Sequence, residues 1–79
     1  MRTSEEIIKD ASSKEKVTDY CLLEMHLYLV IKQILRIYFN NQITKDEAVK
    51  LKLQAVKQYE MNKKDYEFQQ SMFQEHIKN

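Results

Sequence analysis

Seventy-nine residues suffice for one small domain, which hides only about 60% of the surface its unfolded chain exposes, so its core is thin. The chain holds no glycine and no proline, and without residues that make tight hairpin turns at low cost a β-rich fold is disfavoured. Thirteen Lys and Arg against 12 Asp and Glu leave a net charge of +1, too little for a whole-molecule field that draws in nucleic acid or acidic substrates.

The first helix start is "TSEE", where Thr3 and Glu6 have the capping-box spacing that satisfies amide groups left unpaired by the first turn. It predicts a short helix over about 4–10, with Ile7, Ile8 and Ala11 as the apolar side. The opening "MRTSEEIIKD" is too acidic and too poor in apolar residues for a signal peptide.

The second start is "SSKE", pairing Ser12 with Glu15, and it predicts a long helix over about 13–40. Its main apolar stripe holds Val17, Tyr20, Leu27, Ile31, Ile34, Leu35 and Tyr38, but Leu22, Met25 and Leu29 fall on the opposite side. Only a strip around His26, Lys32, Gln33 and Arg36 suits water. With Glu24 these charges leave no window of about 20 apolar residues, so a membrane span is not expected. Cys21, the single cysteine, reads as a buried small hydrophobe in a reducing compartment, and the expected location is the cytoplasm.

The third start is "TKDE", pairing Thr44 with Glu47, with Ile43 placed to staple onto Ala48. "NNQ" before it supplies residues that tolerate a left-handed helix end. A helix over about 45–77 follows. Its apolar positions Ala48, Leu51, Ala55, Tyr59, Tyr66, Phe73 and Ile77 share one stripe, with Tyr59, Tyr66 and Phe73 seven apart. One continuous helix of about 50 Å accounts for that phase better than a break at Asn62. A second stripe, Val49, Leu53 and Val56, occupies the first half only.

The sequence thus predicts a single all-α domain over 1–79, a short N-terminal helix plus a long antiparallel helical hairpin. The second helix is apolar on more sides than one partner helix covers, which predicts assembly as a helical-bundle homodimer in which two such helices meet. The rival is a monomeric three-helix bundle with a few exposed apolar residues.

Chemistry-bearing constellations are sparse. Glu24 projects from the apolar stripe and reads either as a carboxyl of raised pKa, or a specificity lock at an interface, or as a salt bridge to a lysine of the third helix. Glu24 and His26, and likewise Glu75 and His76, diverge too much to share a metal, and Cys21 with Met25 reads as packing. No nucleophile has a visible base, and no glycine-rich loop exists to cradle phosphate, so neither a metal, a cofactor nor enzymatic activity is expected.

Lys50, Lys57 and Lys64 line one helix edge that could track a nucleic-acid backbone, although Asp46, Glu60 and Glu75 lie close to the same edge. Tyrosine makes up five of the eight aromatics and favours half-wet interfaces. The expected contact positions, for a second copy or for another protein, are Leu22, Met25, Leu29, Tyr59, Tyr66 and Phe73.

On "RTSEEIIKD" and on the Tyr-rich "LYLVIKQILRIYFNNQITKDEAVKLKLQAVKQYE" the sequence is similar to small all-helical accessory proteins encoded by phages and integrating elements of Firmicutes-type bacteria. The resemblance covers about the first three quarters of the chain. It implies a bacterial host cytoplasm and an accessory protein that binds and blocks a host or anti-phage defence protein, and it brings no functional residues with it.

Overall fold

The computed structural model describes residues 1–13 and 19–78, with side chains described as far as Met72. Among the described residues the fold is all-α: α1 (Ser4–Ser12), α2 (Leu22–Phe39) and α3 (Lys45–Lys78), with no strand. The third helix has 34 residues against 18 in the second, about 51 Å against about 27 Å. It sets the 56 Å long axis of a molecule only 25 by 15 Å across.

Local chemistry fixes most of the ends. The Thr3 hydroxyl oxygen accepts the Glu6 amide at 3.2 Å and starts α1, and the Glu6 carboxylate returns to the Thr3 hydroxyl. At α3 both halves of the capping box form, Glu47 N–H to Thr44 Oγ1 at 3.2 Å and Thr44 N–H to Glu47 Oε1 at 3.1 Å. Between the long helices Asn41 adopts φ 60°. The Gln42 amide bonds Ile37 O and the Asn41 amide bonds Tyr38 O, a Schellman ending built on asparagine in place of glycine.

The second helix begins later than the capping pattern predicts. Ser12 belongs to α1, its hydroxyl bonded to Ile8 O, and Ser13 caps that helix's C-terminus; Glu15 and Val17 lie outside the described residues. Residues 19–21 are not helical. Helix α2 starts instead at an extended Cys21, whose amide donates to Glu24 Oε1 at 2.9 Å. The physical reason for the correction is that a carboxylate at the third helical position holds the entering chain even though cysteine is a poor capping residue. Cys21 is correspondingly exposed, not packed in the core as its apolar neighbours suggest.

The core is small. Ile7 and Ala11 of α1, Leu27, Tyr28, Ile31 and Ile34 of α2, and Tyr59 of α3 are buried, with Leu23, Met25, Val30, Leu35, Ile43, Ala48 and Ala55 packed partly against them. Helices α1 and α3 both pack on α2 and touch each other only slightly. Helix α3 runs unbroken through Asn62, as its stripe predicts, yet it extends well beyond the point where α2 begins. Among the described residues no helix is long and apolar enough to cross a membrane.

Candidate interaction surfaces and the tie beneath them

Arg2 joins the three helices at one end of the core. Its backbone amide donates to Glu24 Oε2 at 2.7 Å, its guanidinium reaches Glu24 Oε1 at 3.4 Å and Asp19 Oδ2 at 2.7 Å, and its carbonyl accepts the Tyr59 hydroxyl. The guanidinium also lies over the Tyr20 ring, 4.7 Å from its centre, and the Tyr20 hydroxyl donates to Asp10 of α1. Tyr20 in turn meets Tyr28 edge-on, with ring centres 5.3 Å apart.

Glu24 is only 4% exposed. Burial pushes its carboxyl upward, but the amides of Arg2 and Cys21, the Cys21 side chain and the Arg2 charge together outweigh burial and hold it at about 2. It is therefore an ionised structural anchor. This corrects two of the sequence expectations: the carboxyl is held low instead of raised, and its ion-pair partner is Arg2 instead of a lysine of α3.

The same arrangement shifts its neighbours. Burial, then the nearby Glu24 charge, pushes the Tyr59 phenol up to about 12. Burial and the bond to Asp10 raise Tyr20 above the ordinary phenol range, and the hydrogen bond to Asp19 raises Arg2. Among the described residues every buried side-chain polar atom has a partner, so the cluster contains no orphan group of the kind a substrate or ion would complete.

The expected contact positions separate into three groups. Tyr59 is 3% exposed and spent inside the core, which removes it from the surface set: it lies where α2 still covers α3. Leu22 at 89% and Leu29 at 57% are exposed on the outer side of α2, while Met25 on its margin is half-buried. Tyr66 is 46% exposed because α3 has by then passed the start of α2; the Phe73 side chain lies outside the described residues.

Two grooves follow from unequal helix lengths. One, of about 610 Å³, is a notch where α2 begins and α3 runs on, lined by Cys21, Leu22, Leu23, Asn62, Asp65, Tyr66 and Gln69. The other, of about 220 Å³, opens where α1 ends and leaves Ile31, Ile34, Leu35 and Tyr38 facing Ala48 and Val49, with Lys45 and Lys52 at its rim. On the back of α3, Met61, Phe68 and Met72 are also exposed; at spacings of seven and four they form a stripe not singled out by the sequence reading.

Lys50, Lys57 and Lys64 are all exposed. By helical phase Asp46 and Glu60 border the same strip, so the positive charge along it is interrupted. Among the described residues no group of three His, Cys, Asp or Glu side chains is placed to hold a metal ion.

No family model matches the sequence, and neither a curated protein nor a solved structure does.

Proposed function

We propose that this chain is a small protein–protein interaction module of a phage or mobile element, which docks on a host or anti-phage defence protein through the outer face of α2 and blocks it. The observation that carries the reading is the exposure of Leu22 and Leu29, two turns apart on the helix face opposite the buried one. Single exposed leucines are ordinary, but here Leu22 also lines the apolar notch with Leu23 and Tyr66, and grouped apolar surface with a tyrosine at its edge is the composition of a binding face. The resemblance to phage and mobile-element accessory proteins supplies the setting.

The test is a paired capture from bacterial lysate with the parent chain and a Leu22→Asp, Leu29→Asp variant of equal helicity. Any protein retained only by the parent is then purified, and its affinity and activity are measured with each chain. Loss of binding in the variant and loss of the bound protein's activity with the parent support the reading. Identical capture by both chains refutes it.

The exposed Lys50, Lys57 and Lys64 support a second reading, a small DNA-binding regulator. Binding to duplex DNA that falls steeply with salt and is lost when the three lysines become glutamine would favour it. Absence of binding at low salt would remove it.

A further inference from the structure

The back of α3 has a composition of its own. By helical phase, positions 50, 53, 54, 57, 61, 64, 68, 71 and 72 share one arc of about 100°, and all of them are exposed. The arc lies opposite the line of Ala48, Ala55 and Tyr59 that packs into the core, so α2 stands behind it. Lys50, Lys57 and Lys64 recur along it every seven residues. Beside them Leu53, Met61, Phe68 and Met72 are each more than half exposed.

Between Lys50 and Met72 this arc holds no acid: Glu60 and Asp65 stand at its two edges, and Glu67 lies further round. Asp46 precedes it in phase and position 75, a glutamate whose side chain lies outside the described residues, follows it. Across 50–72, Lys50, Lys52, Lys57, Lys63 and Lys64 outnumber Glu60, Asp65 and Glu67 by two. The strip is thus a straight, basic and apolar line about 33 Å long.

We infer that this strip docks on an anionic bilayer surface, with α3 lying in the plane of the lipid headgroups. Two observations select that occupant. The strip is convex, and neither groove of the molecule includes any of its residues, so it is shaped to meet an extended surface and not to enclose a small ligand. The apolar side chains then decide which polyanion it meets. Lysines spaced by seven would serve a duplex backbone equally well, but on DNA the neighbouring Met61, Phe68 and Met72 would stay in water. At a bilayer the lysine stems reach lipid phosphates while those side chains enter the acyl boundary.

Three lysines and four apolar side chains give a reversible attachment that weakens with salt, far short of a spanning helix. Because the strip faces away from α2, Leu22 and Leu29 on the outer side of α2 remain turned toward solution while α3 rests on lipid. The strip also makes no contribution to the core, so its residues can be replaced without unfolding the chain.

The experiment is co-sedimentation of the full chain with vesicles of phosphatidylglycerol and phosphatidylcholine in equal parts, and with phosphatidylcholine alone, at low and physiological salt. It compares the parent with a Lys50→Gln, Lys57→Gln, Lys64→Gln variant, a Met61→Gln, Phe68→Gln variant and a Leu22→Asp, Leu29→Asp variant, with circular dichroism checking that helicity is unchanged. The parent should bind the anionic vesicles, less so as salt rises, and leave the neutral ones unbound. The lysine variant should lower partitioning about a hundredfold, and Met61→Gln with Phe68→Gln at least about tenfold. No binding to anionic vesicles at low salt overturns the proposal, as does equal binding to neutral ones. Binding indifferent to Met61→Gln with Phe68→Gln also overturns it, since the lysines would then be acting as general polyanion contacts. A loss confined to Leu22→Asp with Leu29→Asp would place lipid on α2 and overturn it as well. None of these outcomes depends on whether the α2 face binds a host protein.

Discussion

Glu24→Gln removes one charge from the interior and leaves the shape of the side chain intact. The carboxylate takes the Arg2 amide at 2.7 Å and the Cys21 amide at 2.9 Å, with the Arg2 guanidinium at 3.4 Å. A glutamine has one acceptor oxygen and one NH₂, so one backbone donor now faces another donor. Holding the carboxyl at about 2 instead of its ordinary 4.5 is worth roughly 3 kcal/mol at pH 7. That agrees with the roughly 3–5 kcal/mol lost when one partner of a buried ion pair is removed.

For a chain of this size, roughly 3 kcal/mol lowers Tm by about 12 to 24 °C. Because the folded-state pKa lies below the unfolded one, this stabilisation is present above about pH 4.5 and is lost as pH falls toward 2. Thermal melts followed by circular dichroism at pH 7, 4.5, 3 and 2 should therefore show a wide gap between parent and Glu24→Gln that closes on acidification. A gap under about 0.5 kcal/mol at pH 7, or one that does not change with pH, would refute the reasoning, since surface substitutions alone reach that size.

Tyr59→Phe deletes the hydroxyl that donates to Arg2 O and should cost about 1 kcal/mol near neutral pH, measured by urea titration. Its folded-state pKa of about 12 lies above the free-phenol value, so the parent should lose stability as pH rises from about 10 toward 12, and Tyr59→Phe should lose less over that window. Asn41 sits at φ 60°. Asn41→Gly should raise Tm by a few degrees while Asn41→Val lowers it, because a β-branched residue is strained there by about 1–2 kcal/mol; equal melting of the two would contradict the left-handed turn.

The all-α class was legible because a chain without glycine or proline can still make helices but not tight strand turns, and the capping pairs at Thr3 and Thr44 marked two of three helix starts. The continuity of α3 was legible from one unbroken phase of Ala55, Tyr59 and Tyr66. The start of α2 was not: two serines offered a conventional cap, whereas the helix begins at Cys21, whose amide is held by Glu24.

The role of Glu24 was hidden for a related reason. Its principal partner is a backbone amide 22 residues away, and main-chain donors leave no mark in a pattern of side chains. Tyr59 and Tyr66 were indistinguishable by phase, since only the finite length of α2 decides that one is buried and the other open. Leu22 and Leu29 were legible as surplus because they stand opposite the stripe that faces the core.

The Arg2 tie also orders the ways in which this protein opens. Helix α1 contributes the fully buried Ile7 to a core of only seven buried apolar side chains drawn from all three helices, so lifting it away opens that core. Detachment of α1 and global unfolding should therefore be nearly the same event, one cooperative unit instead of a hairpin that survives its strap. The amide of Arg2, held by Glu24, is the natural reporter: in hydrogen exchange it should be protected almost as strongly as the amides at the centre of α2.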